Sequence, residues 1–89
     1  MNDVISAKEL LETHKDNRVE ADIVNDKYFV STVSLSMFMF FYDKELYETE
    51  VFKIKDGFVD FDGIRTERTN TLKEAIETHK KIVKEYSKK

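Results

Sequence analysis

The alternation of apolar and polar positions is clearest in the segment Lys27–Tyr42, KYFVSTVSLSMFMFFY. In its first half, apolar side chains such as Phe29 and Val33 alternate with hydroxyl-bearing side chains such as Thr32. A period of two predicts a strand with one buried face. In the second half, Met37–Tyr42, the alternation stops and the residues are apolar on both faces. Such a segment needs a cover on each side, from the chain's own helices, a second copy or a partner.

Further segments of the chain also alternate, and Asn, Asp and Gly mark the turns between them. Asp56-Gly57 is the strongest turn signal, because this dipeptide suits a tight hairpin with positive φ. The apolar pattern of Glu45–Lys55 is irregular, which predicts a β-bulge partway along that strand. The expected strands are Val19–Ile23, Lys27–Tyr42, Glu45–Lys55 and Phe58–Phe61, and a turn at Asp62-Gly63 is followed by a short extended segment, Ile64–Arg68.

Both ends of the chain carry the signature of a helix start. A Ser or Thr is followed three residues later by Glu, which is the spacing of a capping box. An amphipathic pattern follows each of these pairs. The capping pairs are Ser6 with Glu9 and Thr71 with Glu74, and the predicted helices run from Ala7 to about Lys15 and from Leu72 to about Ser87.

This order of elements predicts a single α+β domain over residues 1–89. The strands would form a small antiparallel β-meander of about four strands, flanked by an N-terminal and a C-terminal helix. Apolar residues of the second helix, from Leu72 to Tyr86, fall on one side of it. We expect both helices to pack on one face of the sheet.

Composition narrows the class of protein. Hydrophobic residues make up 40% of the chain and charged residues 37%, a balance typical of a folded domain rather than a disordered segment. The absence of cysteine excludes disulfides and thiolate zinc sites and suits the cytoplasm. No apolar run reaches the ~18–20 residues of a membrane span. The net charge of −3 argues against nucleic-acid binding, and the basic residues from Lys80 onward are interpreted as a solvated helix face.

The residues offer few candidates for catalysis or metal binding. His14 and His79 lie on the apolar sides of the predicted helices, where neither helix supplies further ligands at metal spacing. Asp60–Gly63 has part of a calcium-loop pattern, but Phe58 and Thr69 stand where carboxylates are needed. The chain also has no Gly-rich loop, GxSxG motif or cysteine nucleophile. We therefore expect a non-enzymatic protein with no metal and no cofactor.

The apolar second half of the long strand is the strongest candidate for a contact surface. A chain of this size has little material with which to cover two faces of a sheet. Two explanations remain open: both faces are buried within the domain, or the segment contacts a second copy or a partner protein. The candidate partner-binding residues are Met37, Phe38, Met39, Phe40, Phe41 and Tyr42.

Three separated blocks of the sequence follow a pattern known from one protein family. Val30–Leu35 resembles its VSTVfLg strand, and Tyr47–Phe52 resembles its FETMVF block. Arg68, Thr71, Glu74-Ala75 and His79 resemble its RYxTxxEAxxGH block. In this order, over about two-thirds of the chain, the blocks resemble a family of small, functionally uncharacterised proteins encoded by bacteriophages and prophages.

The chain departs from the family pattern after the first block. The family often has an Asp-His pair and a Gly/Pro-rich loop there, whereas this chain has Phe38-Met39 and a short Asp43-Lys44 turn. An activity that needs the Asp-His pair is therefore not expected.

The resemblance also implies roles for residues of the third block. It implies that Thr71 and Glu74 cap the last helix and that His79 packs toward the sheet near Glu48 or Thr49. A second candidate site, a polar one, therefore comprises Glu48, Arg68 and His79.

These features together predict a phage-encoded binding protein located in the cytoplasm of the host cell. It would counter a host defence by occluding a host protein such as a CRISPR effector, and it would also be able to form a homodimer. One alternative is an oligomeric sponge for a small nucleotide signal, with Arg65 and Arg68 at the subunit interface. The others are an accessory phage protein, and an enzyme or metalloprotein that uses His79 with Glu48.

Overall fold

The structure of the protein is a computed structural model that describes residues 5–13, 17–35 and 46–89. The strands form one antiparallel sheet in the order β1-β2-β3-β4, so the predicted α+β class and the meander are confirmed. The elements are helix α1 (Ala7–Glu12), strands β1 (Arg18–Val24), β2 (Tyr28–Ser34), β3 (Tyr47–Lys55) and β4 (Phe58–Thr69), and helix α2 (Leu72–Tyr86).

The two helices pack on opposite faces of the sheet. Phe29 and Val30 are neighbours in β2 and therefore point to opposite sides. Val30 belongs to the core cluster that contains Ile82 of α2, whereas Phe29 packs with Leu10 of α1. The expectation that both helices share one face is therefore wrong. Because β2 carries large apolar side chains on both sides, each face of the sheet needs its own helix.

The last strand, β4, also differs from the expectation. Phe58–Thr69 is one continuous strand, so the predicted turn at Asp62-Gly63 is wrong. Residues 61–64 of β4 all lie opposite the single residue Phe52, which makes an extended bulge. The bulge predicted within β3 is therefore carried by β4 instead, and β3 pairs with β2 in unbroken register. Within the bulge, Gly63 lies against the carboxylate of Glu50, where a Cβ atom would collide.

Two predicted elements extend beyond the described residues. α1 ends at Glu12 instead of about Lys15, and residues 14–16, which include His14, lie outside the described residues. β2 ends at Ser34. Residues 36–45, and with them the predicted contact segment Met37–Tyr42, also lie outside the described residues.

Both predicted N-caps and the Asp-Gly hairpin are confirmed, whereas the carboxylates of Glu9 and Glu74 accept from the hydroxyls of the cap residues and not from their backbone amides. The hydroxyl oxygens of Ser6 and Thr71 accept hydrogen bonds from the amides of Glu9 and Glu74, each at 3.1 Å. Asp56-Gly57 has φ angles of 54° and 85°, the left-handed conformation of a tight hairpin. Among the described residues, neither helix combines the length and the apolar character needed to cross a membrane.

The cap of α2 can be tested at Thr71. Replacement by alanine removes the oxygen that accepts from the Glu74 amide. We expect T71A to lower the free energy of unfolding by about 1 kcal/mol, measured by urea denaturation with circular dichroism. T71S keeps the oxygen and should lose less than half as much. Equal losses in the two variants would contradict the capping role.

Candidate functional site

A buried network of hydrogen bonds centres on His79, which lies near the middle of α2 and is 1% exposed. Its Nδ1 lies 2.7 Å from Oγ1 of Thr32 in β2. The same oxygen lies 2.6 Å from Oγ1 of Thr49 in β3. On the other side of the ring, Nε2 lies 2.7 Å from Oδ2 of Asp22 in β1. One side chain of α2 is therefore linked to three strands.

The direction of these hydrogen bonds follows from the chemistry of Asp22. An ionised carboxylate only accepts, so Nε2 of His79 carries a proton and donates it. In the neutral imidazole Nδ1 then accepts from the Thr32 hydroxyl, whose oxygen accepts in turn from Thr49. Both ring nitrogens and both hydroxyl oxygens thus have partners, as the burial of the network requires.

Thr32, His79 and Asp22 have the order of groups found in nucleophilic triads: hydroxyl, imidazole, carboxylate. The location of the hydroxyl argues against that use. Thr32 is 0% exposed, and its oxygen already has two partners. A substrate cannot reach this oxygen in the folded domain, so the arrangement positions α2 on the sheet instead of activating a nucleophile.

Two carboxylates of β1 border the network on its solvent side. Glu20 and Asp22 are two residues apart on an edge strand, and both point toward α2. Oε2 of Glu20 lies 3.7 Å from Nε2 of His79 and is buried without a hydrogen-bond partner among the described residues. The ligand atoms of Glu20, Asp22 and His79 lie within 4.8 Å of one another. We call these three residues the β1–α2 cluster.

Sequence reasoning missed the β1–α2 cluster. Glu20 and Asp22 alternate with apolar residues, a pattern that any half-buried edge strand can show. His79 was identified on the apolar side of its helix, but 57 positions separate it from Asp22. Only the pairing of the strands brings the three residues together. The signal that was present in the sequence is the placement of two carboxylates on one face of a strand.

The opposite face of the sheet carries a groove beside α1. This helix has only six residues and leaves part of the face uncovered among the described residues. The groove has a volume of about 170 Å³. Its walls are mostly apolar, with charged groups from three side chains. We call it the α1-face groove, and it is lined by Leu10, Arg18, Phe29, Ser31, Val33, Glu48, Glu50, Phe52 and Phe61.

The charges of the α1-face groove are unequally compensated. Glu48 accepts a hydrogen bond from Nε of Arg68 at 3.1 Å. The guanidinium of Arg18 donates to carbonyl oxygens at the end of α1, at 2.8–3.1 Å. Burial, and to a smaller extent repulsion by Glu48, raises the pKa of Glu50. Of the two carboxylates of the groove, Glu50 is therefore the less stabilised, and a cation placed beside it would be favoured.

The predicted polar site of Glu48, Arg68 and His79 does not form. Glu48 and Arg68 make an ion pair on the α1 face, whereas His79 lies under α2 on the other face. The expected contact of His79 near Thr49 is present, through Thr32. Glu48 precedes Thr49 directly and so points the opposite way. The role of Met37–Tyr42 in binding a partner stays a prediction.

Arg65, the other residue expected at a nucleotide site, is engaged within the chain. Its guanidinium forms ion pairs with Glu67 and Glu85. Hydrogen bonding to Glu67 is the largest of several contributions that raise the pKa of Arg65. A phosphate would have to displace these carboxylates.

A scan against protein-family models finds no match to this chain, and neither do searches of curated proteins and of solved structures. The comparisons therefore assign no family, and the likeness to phage proteins rests on the sequence blocks alone.

The network can be tested at Thr32. Replacement by valine keeps the shape of the side chain but leaves Nδ1 of His79 and the Thr49 hydroxyl without this partner. We expect T32V to lower the free energy of unfolding by about 1–3 kcal/mol in chemical denaturation. T66V makes the same change at an exposed position of β4 and should stay within about 0.5 kcal/mol of the unsubstituted protein. Equal effects at the two positions would contradict the network.

Removal of the charge of Glu50 by substitution should increase the stability of the protein, and the increase should depend on pH. Since the pKa of Glu50 is raised in the folded state, that state holds the proton to a higher pH than the unfolded chain. Ionisation therefore costs stability as the pH rises from the unfolded to the folded pKa. E50Q should raise the unfolding temperature near neutral pH, and the gain should shrink toward about pH 4. E77Q, on an exposed position of α2, is the control, and an equal gain at both pH values would contradict this assignment.

Proposed function

We propose that this protein is a non-enzymatic binding protein whose α1-face groove receives a segment of a partner protein. The observation that carries the proposal is a carboxylate, Glu50, held in a mostly apolar groove that raises its pKa. An apolar side chain of the partner would cover the groove floor, and a neighbouring Lys or Arg would compensate Glu50.

Exposed aromatic surface beside the groove supports this assignment. Phe61 is 53% exposed and packs edge-to-face on Phe52, with ring centroids 5.5 Å apart. Rigid aromatic side chains at the rim of a groove are typical anchors of protein interfaces. Phe61 therefore offers a contact whose apolar area is still available for burial.

The size and charge of the groove favour a peptide over a nucleotide. Pockets for small molecules usually have volumes of about 300–1,000 Å³, whereas this groove has about 170 Å³. One or two side chains fit such a volume. Glu48 and Glu50 would also repel a phosphate. Arg68 is paired with Glu48, and the terminal nitrogens of Arg18 donate to carbonyl oxygens of the chain.

The resemblance to phage proteins supports a host protein as the partner and the host cytoplasm as the location. In this proposal the protein acts by occlusion, and a CRISPR effector is one such target. The segment Met37–Tyr42 follows β2 in the sequence and stays a predicted contact for the same partner.

The proposal can be tested with two exposed phenylalanines of β4. Phe61 lines the groove, whereas Phe58 is 46% exposed and lies outside it. Tagged full-length protein, F61A and F58A are used to capture proteins from a bacterial lysate, with quantitative mass spectrometry of the protein and small-molecule fractions. We expect a specific partner that F61A loses by about tenfold or more and that F58A retains.

The purified partner is then titrated calorimetrically against the protein and against E50Q. Loss of a compensated charge should weaken binding, because the partner's cation would lose its carboxylate. Capture that is equal for F61A and F58A, or a captured small molecule without any protein, would overturn the proposed function.

A further inference from the structure

We propose that the β1–α2 cluster is a binding site for a divalent transition-metal ion such as Zn²⁺. This inference does not depend on the proposed function, because the cluster lies on the other face of the sheet from the α1-face groove. The ligands are Nε2 of His79 and one carboxylate oxygen each from Glu20 and Asp22.

The distances in the cluster are close to those of a metal site. Two ligand atoms at about 2.0 Å from a tetrahedral zinc lie about 3.3 Å from each other. Nε2 of His79 lies 2.7 Å from Asp22 Oδ2 and 3.7 Å from Glu20 Oε2, values on either side of that separation. The three ligand atoms lie within 4.8 Å of one another, so the widest pair would have to close by up to about 1.5 Å to reach the tetrahedral separation. Rotation of the two partly exposed carboxylate side chains can supply this movement.

Glu20 is the residue that a hydrogen-bond network alone does not explain. Asp22 by itself satisfies Nε2 of His79. Oε2 of Glu20 is nevertheless buried beside it without a hydrogen-bond partner among the described residues. A buried carboxylate oxygen without a partner costs free energy. A bound cation would supply the partner and would also remove the repulsion between the two carboxylates.

The groups behind the imidazole fit a metal ligand. A metal-bound histidine donates its other ring N–H to a neighbouring acceptor, which fixes its orientation. Here Nδ1 of His79 faces the Thr32 hydroxyl at 2.7 Å, and Thr32 leads on to Thr49. On metal binding the ring proton moves from Nε2 to Nδ1 by exchange with solvent, so the imidazole remains neutral. Nδ1–H then donates to Thr32, and the Thr32 hydroxyl turns toward Thr49.

The ligand types select the kind of ion. One imidazole and two carboxylates suit Zn²⁺ and similar transition metals, whereas Mg²⁺ and Ca²⁺ prefer oxygen ligands alone. The side chains of Glu20 and Asp22 are 39% and 49% exposed, so the ion can enter from solvent at the edge strand. Three protein ligands would leave one tetrahedral position for water or for a ligand from a partner.

The test uses the full-length protein stripped with a chelator and titrated with ZnCl₂ by isothermal calorimetry, with MgCl₂ as a second probe. We expect one Zn²⁺ per chain and no Mg²⁺ binding. E20Q and D22N should each weaken Zn²⁺ binding by about tenfold or more, and T32V by about tenfold through the orientation of His79. D60N/D62N removes two carboxylates with the same spacing on β4, away from any histidine of the described residues, and should bind like the unsubstituted protein.

A spectroscopic signature separates a site at His79 from binding elsewhere on the surface. In ¹⁵N–¹H correlation spectra of the imidazole, Zn²⁺ should convert His79 from the Nε2–H to the Nδ1–H tautomer. Circular dichroism and the unfolding temperature establish that E20Q and D22N are folded. Absence of Zn²⁺ binding, binding that these two variants retain, or an unchanged tautomer of His79 would each overturn the proposal.

Discussion

A buried imidazole needs a hydrogen-bond partner at each nitrogen, and this requirement determines how α2 sits on the sheet. His79 meets it with Thr32 on one side and Asp22 on the other. Thr32 lies directly opposite Thr49 in the β2–β3 pairing, so the hydroxyl that receives the imidazole is itself held by the neighbouring strand. Displacement of α2 by one turn would leave these buried groups unpaired, at a cost that apolar packing does not impose.

The two faces of the sheet differ in how they are covered and in how polar their cores are. On the α2 face, a helix of 15 residues covers a core whose centre is polar and fully paired. On the other face, α1 has 6 residues and is held by its N-cap at one end and by Arg18 at the other. That face has less cover among the described residues. We therefore assign positioning of the fold to the first face and partner contact to the second.

Local signals predicted much of the fold. The two helix N-caps and the Asp56-Gly57 hairpin depend on a few neighbouring residues, and all are confirmed. The placement of the helices could not be read in this way, because Phe29 and Val30 are both apolar and the alternation of β2 does not identify a single buried face. Asp62-Gly63 is a dipeptide typical of turns, but in the structure Gly63 lies within β4, where the absence of a side chain leaves room for Glu50.

The candidate sites were harder to predict than the fold, for a geometric reason. Glu48 cannot meet His79, because Thr49 faces α2 and adjacent residues of a strand point to opposite faces. The period of two, which can be read from the sequence, allows only one of these two residues on the α2 face. The partnership of His79 with Asp22 cannot be read in this way, because it depends on the register between β1 and β2, in which Asp22 lies opposite Val30. A shift of that register by one residue would turn both carboxylates of the β1–α2 cluster to the other face.

Glu20 lies on β1, an edge strand of the sheet, and protection of the edge does not explain the burial of its carboxylate oxygen. Charged side chains on an edge strand discourage pairing with another chain, and inward-pointing charges are one form of this protection. Glu20 points toward α2 and also buries one oxygen against His79, next to a second carboxylate. Protection of the edge requires neither a buried oxygen nor a second carboxylate beside it, and with a neutral imidazole both features raise the free energy of the folded state. A cation bound between the three side chains reverses the sign of both effects.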